Sequence, residues 1–146
     1  MDILSAFSEN LSELIGEKNL TVRQFAEQVG LDLSEVYRYL RKEYLPQLST
    51  IIKIADLYGC SVDYLLGFTA YDEKKSFRKT PPFSQRLKEI LSEKELSRYR
   101  LSKDTEISIH RIDDWYHGRF LPSLDKVIVL AEYFGRSVDY ILGREI

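Results

Sequence analysis

His110 and His117, the only histidines among 146 residues, stand seven apart, a spacing that puts both on one face of a helix and invites a metal reading. A zinc site needs further Cys, His or carboxylate ligands, and no cysteine or third ligand lies near them in the chain, so the pair marks a helix face and no metal centre. The single cysteine, Cys60, cannot form an internal disulfide and implies no thiol chemistry. No glycine-rich phosphate loop is present, and the carboxylates fall where helix caps and surface faces account for them, so nothing points to an enzyme or to a cofactor. What remains is the chemistry of cations and of helix ends. Lys74, Lys75, Arg78 and Lys79 form a basic run that suits a phosphate backbone, although a run of this kind between domains is ordinarily just solvated.

The helix ends are more specific. Thr21 is a plausible N-cap for VRQFAEQV, Gly30 breaks that pattern, Asp32 is a second N-cap, and Leu33 to Arg41 resumes a helix. Ala26 is small where two helices must approach closely, Gly30 four residues later permits a tight turn, and Val36 six residues on packs the second helix back. These types at this spacing specify a helix-turn-helix.

The chain carries this arrangement twice. GCSVDYLLGF, from Gly59, returns as GRSVDYILGR, from Gly135, and the offset of 76 lays Phe7–Gly67 over Phe83–Gly143 without a gap, Cys60 falling on Arg136. Nineteen of those positions are identical. Apolar residues recur at helical spacing in Leu4, Phe7, Leu11, Leu14 and Ile15, and again in Phe83, Leu87, Ile90 and Leu91. Leu48, Ile51, Ile52, Ala55 and Tyr58 mark another amphipathic helix stopped by Gly59, matched by Leu124, Val127, Ile128, Ala131 and Phe134 before Gly135. Ser61 and Ser137 then stand where an N-cap belongs. The reading is two tandem domains, 1–67 and 83–146, joined by a linker, 68–82, that ends in a double proline. Ile54, Leu57, Val129, Leu130 and Tyr133 are apolar beyond one amphipathic face and suit a contact surface between repeats or in a dimer.

Composition sets bounds on this reading. With 44% hydrophobic and 12% aromatic residues the chain folds, and its longest wholly apolar run, Val127 to Ala131, is far too short to span a membrane. MDILSAFSENL lacks the basic start of a signal peptide, which suggests a cytoplasmic protein. Net charge is −2, and a cut after Asp72 leaves 6 basic and 11 acidic residues before it and 15 basic and 12 acidic after it. The acidic balance withholds the usual electrostatic support for a nucleic-acid partner, so local patches must supply it.

In LTVRQFAEQVGLDLSEVYRYL with YLPQLSTIIKIADLYGCSVDYLL, and in the matching stretch from Leu96 to Leu142, the sequence resembles the phage-repressor and Cro-like (XRE-type) helix-turn-helix domains. The resemblance covers both repeats and implies an all-α fold of two five-helix lambda-repressor-like units in a prokaryotic or phage regulator that binds double-stranded DNA specifically. It also implies that the helix after the turn enters the major groove while the preceding helix start and the following loop hold phosphates. In the first copy the reading positions would be Leu33, Ser34, Tyr37 and Arg38, with Arg38 able to grip a guanine through two hydrogen bonds. Thr21, Val22 and Arg23 begin a helix that suits a phosphate, and Arg41, Lys42, Tyr44 and Gln47 follow in the loop.

In the second copy the corresponding residues are Ile109, His110, Asp113 and Asp114, with Arg98, Arg100, His117 and Arg119 supplying positive charge. Two aspartates on a groove-facing helix meet phosphates unfavourably. The copies also differ in the family's small residues: Ser102, Glu106 and Ile112 replace Ala26, Gly30 and Val36, while Gly118 replaces Lys42. A non-glycine residue in a left-handed turn costs about 1–2 kcal/mol, so the second turn is expected to be remodelled around Glu106. Two reading helices roughly 34 Å apart would span successive major grooves, and a dimer of such chains would cover a longer operator. The alternative is an interaction or dimerisation module on the same scaffold, in which the second copy does not read bases.

Overall fold

The computed structural model describes residues 2–145, and those residues form ten α-helices and no β-strand. The chain divides into two compact units, residues 1–76 and 77–146. The first holds α1 (Ile3–Glu17), α2 (Val22–Val29), α3 (Leu33–Leu40), α4 (Leu48–Tyr58) and α5 (Val62–Leu65); the second holds α6 (Phe83–Glu93), α7 (Arg98–Thr105), α8 (Ile109–Tyr116), α9 (Leu124–Phe134) and α10 (Val138–Leu142). No helix among the described residues is long and apolar enough to cross a membrane.

In the first unit α1 starts where the Asp2 carboxylate accepts the Ser5 amide, and it turns Phe7, Leu11, Leu14 and Ile15 into the core. Its equivalent, α6, is one turn shorter because Pro82 takes the N-cap position. Each unit keeps an edge-to-face aromatic pair at the same place, Phe7 on Tyr39 at 5.7 Å and Phe83 on Trp115 at 6.3 Å. Trp115 is 4% exposed and therefore a core residue. Burying side chains of this size contributes about 1.5–3 kcal/mol each, which is what fastens the short helices α3 and α8 to their units. Of the surplus apolar residues, Ile54 and Leu130 are buried, Val129 and Tyr133 are half-buried, and Leu57 is exposed.

The SVDY phrase is scaffold in both units. Ser61 and Ser137 accept the amides of Tyr64 and Tyr140 at 3.0 and 2.9 Å, starting α5 and α10. The carbonyl of the tyrosine is then gripped from the first helix of its own unit, by the Asn10 amide at 2.7 Å in one and by the Arg86 guanidinium at 2.7 and 3.0 Å in the other. Gly67 follows at φ 83°, and a Cβ there would lie 2.5 Å from that of Ala6, so α1 and the end of α5 touch through a gap that only glycine leaves.

Residues 68–82, read from sequence as a linker, are anchored at both ends. Tyr71 sets its ring edge-on to Tyr64 at 5.5 Å and its hydroxyl on Glu17 at 3.3 Å, within the first unit. Phe77 pairs with Glu145 in an isolated antiparallel bridge, and the Arg78 amide donates to the Arg144 carbonyl at 2.9 Å, within the second. Arg144 is 1% exposed and ion-paired with Asp139.

Two local readings need correction. Asp32 has the extended backbone of an N-cap, but its side chain makes no capping hydrogen bond. The second turn is not remodelled: Glu106 takes the left-handed conformation at φ 62°, as Gly30 does at 81°, and both amides close on the fourth residue before them at 2.9 and 2.8 Å. Hydroxyls hold the strained residue in place, with Ser102 donating to the Ile107 carbonyl at 2.6 Å and Thr105 accepting the Ile107 amide. Thr105 is half-buried.

Candidate nucleic-acid interface

In the first unit α2 opens on a reciprocal cap in which Thr21 accepts the Gln24 amide at 3.1 Å and Gln24 accepts the Thr21 amide at 2.9 Å. The amides of Val22 and Arg23 stay at an open helix end, where the helix dipole favours an anion. Gly30 turns the chain, and α3 packs through Val36 and Tyr39, 0% and 2% exposed. That packing directs the opposite face outward: Ser34, Tyr37 and Arg38 are exposed and Leu33 half-buried.

The loop after α3 completes the face. Lys42 adopts φ 63°, the left-handed conformation that its counterpart Gly118 takes at 73° in the second unit. Its ammonium lies 3.6 Å from Glu9, and Arg41 pairs with Glu43 at 2.7 Å, both on the surface. Tyr44 sets its ring edge-on to Tyr39 at 5.5 Å, and its hydroxyl, close to the Arg38 guanidinium, pushes the arginine pKa up. Gln47 is exposed at the start of α4 and makes no capping bond. One cation escaped the sequence reading: Lys53 of α4 places its ammonium 3.1 Å from where a Cβ on Gly30 would stand, directly over the turn. Only the fold brings those two positions together.

The second unit assembles the same scaffold with different electrostatics. Arg98 pairs with Asp113 at 3.1 Å and lies 4.1 Å from the Tyr116 ring centroid. Arg119 pairs with Asp114 at 3.1 Å, and Arg100 with Asp104 at 3.1 Å. His117 sets Nδ1 2.8 Å from the Asp113 carbonyl. Three cations expected to hold phosphates are thus committed to carboxylates, two of them on α8 itself. His110 is exposed and Ile109 half-buried at the positions of Ser34 and Leu33.

Residues 11–65 match a family model described as helix-turn-helix, and residues 86–145 match the Cro/C1-type helix-turn-helix DNA-binding domain. The chain belongs to the Cro/C1-type helix-turn-helix family of DNA-binding transcriptional regulators. It is 31% identical over 108 residues to the uncharacterized HTH-type transcriptional regulator YobD of Bacillus subtilis (strain 168), a match covering 73% of this chain and 91% of that protein. It is also 37% identical over 57 residues to the cryptic phage CTXphi transcriptional repressor RstR of Vibrio cholerae serotype O1, covering 39% of this chain and 51% of that protein. No solved structure matches the chain.

Proposed function

We propose that this regulator acts as a repressor in the cytoplasm of a prokaryotic cell and reads its operator with the first unit. Leu33, Ser34, Tyr37 and Arg38 meet base edges in the major groove, while Thr21, Val22, Arg23, Arg41, Lys42 and Tyr44 hold the phosphates on either side. The second unit supports the complex without reading bases. The observation that carries this division is the pairing of Asp113 with Arg98 and of Asp114 with Arg119, which sets anions at the reading positions and occupies the cations beside them.

The test begins with selection of an operator from a random duplex library, followed by comparison of Arg38→Ala with His110→Ala on that operator. Loss of a two-pronged arginine–guanine contact removes about 1–3 kcal/mol of discrimination at one base pair. Arg38→Ala should therefore relax preference at a single position, and His110→Ala should leave the preference intact. Equal relaxation by both changes would rule out the division of labour.

A further inference from the structure

The two units carry the same groove and fill it differently. In the second unit it runs between α6 and α10, and residues 77–82 lie in it as an extended strap. Phe77 bridges to Glu145, the Arg78 amide donates to the Arg144 carbonyl at 2.9 Å, and Pro81 packs on Gly143. The Phe77 ring lies 5.1 Å from the Arg144 guanidinium, and Arg144 is left 1% exposed. In the first unit the residues aligned with 78–82, Asp2 to Ala6, form the N-cap and first turn of α1, so no strap is present. Ala6 takes the place of Pro81 against the glycine, here Gly67. Beyond it Glu9, Asn10, Phe68, Thr69 and Ala70 border an open groove of about 510 Å³, within the range of binding sites. Phe68, the counterpart of Arg144, is 47% exposed, and no hydrogen bond from the described residues reaches its carbonyl.

We propose that the open groove of the first unit receives an extended basic segment of a partner protein, an aromatic residue followed by two cations, as Phe77, Arg78 and Lys79 are ordered in the second unit. The backbone supplies the first attraction: the Phe68 carbonyl stands where the Arg144 carbonyl accepts the strap amide, so an extended chain laid there is hydrogen-bonded. The exposed Phe68 ring supplies the second, an apolar seat for the aromatic residue. Charge supplies the third. In the second unit Arg86 partly neutralises the wall of Glu89 and Glu93, whereas α1 has Asn10 in place of Arg86 and adds Glu9 where α6 has Gln85. Tyr71 takes Glu17 at 3.3 Å, and Lys42 meets Glu9 only across the surface at 3.6 Å, which leaves Glu9 and Glu13 to face two cations. Duplex DNA is repelled by these carboxylates. A second copy of this chain is poorly suited, because its own strap is already seated in its second unit. The groove includes no residue of α3, so the proposal stands whichever unit reads bases.

Titration of the isotope-labelled full chain with the capped peptide SFRKT, residues 76–80, tests this by nuclear magnetic resonance. Amide shifts should saturate at Asn10, Phe68 and Thr69. The same peptide carrying Arg78→Glu and Lys79→Glu should bind at least about tenfold more weakly, since two attractions become two repulsions. Phe68→Lys in the protein should weaken SFRKT by at least about tenfold as well, removing the aromatic seat and setting a cation in its place. That side chain is half exposed, and circular dichroism verifies the fold; the peptide comparison on wild type needs no variant at all. Absence of saturation up to about 1 mM, equal binding of the two peptides, or unchanged affinity in Phe68→Lys overturns the proposal. So do shifts confined to residues 77–82 and 143–145, which would mean that the peptide merely displaces the chain's own strap. Concentration-dependent shifts at Asn10 and Phe68 without peptide overturn it too, by making a second copy the occupant.

Discussion

Replacing both α8 aspartates, as Asp113→Asn with Asp114→Asn, should turn the second unit into a stronger but indiscriminate DNA binder. The side chains in the two pairs are 37% and 38% exposed for Arg98 and Asp113, and 55% and 34% for Arg119 and Asp114. Pairs this open contribute only about 0–1 kcal/mol each, so the variant should stay folded, and Arg98 still has the Tyr116 ring beside it. Two arginines would be released toward phosphates and two anions removed from their path. Each new phosphate contact steepens the dependence of log K on log salt by about 0.9, so two steepen it by about 1.8. Between roughly 50 and 200 mM salt the variant should lose about twelvefold more affinity than the wild type does. Fluorescence anisotropy on a labelled random duplex across that range measures both slopes. Coincident slopes would refute the reasoning, because they would show that Arg98 and Arg119 do not face the backbone even when free.

Three further outcomes follow from the turns and the buried tyrosines. Glu106→Gly and Lys42→Gly should each stabilise the protein by about 1 kcal/mol in urea unfolding, and only Lys42→Gly should flatten the salt slope of DNA binding. Gly67→Ala should cost about 2–5 kcal/mol, combining left-handed strain with the 2.5 Å approach to Ala6, whereas Gly59→Ala, with open space around it, should cost only about 1–2 kcal/mol. Burial, with Glu13 close by, pushes the Tyr64 pKa up to about 12, and burial with the Glu35 acceptor pushes that of Tyr39 up as well. The folded first unit then binds these protons more tightly than the unfolded chain, so stability present at neutral pH is lost as pH rises from about 10 to 12. Since Trp115 replaces Tyr39 in the second unit, far-UV circular dichroism should fall before Trp115 emission shifts; simultaneous change would contradict this.

The helices and their stops were legible because they depend on local chemistry. Apolar spacing placed α1, α4, α6 and α9, and Thr21, Ser61 and Ser137 announced caps that form as read. Glu106 departs from its propensity because the hydroxyls of Ser102 and Thr105, invisible to a single-residue preference, hold the left-handed conformation once the turn is made. The candidate site was legible as positions and illegible as electrostatics. Arg98 and Asp113 are fifteen residues apart, and whether they repel a duplex singly or cancel each other depends on how α7 crosses α8. Asn10 and Arg86 make the same point: different residues reach the same carbonyl, and no alignment of types reveals it.

The left-handed positions on either side of α3 and of α8 are filled in opposite ways, Gly30 with Lys42 in the first unit and Glu106 with Gly118 in the second. Unequal crossing-over between the repeats within that helix would delete one copy and leave a single unit with glycine at both places, relieved of about 1–2 kcal/mol of strain. The strain in each repeat thus sits at the end of the helix where the other repeat has none.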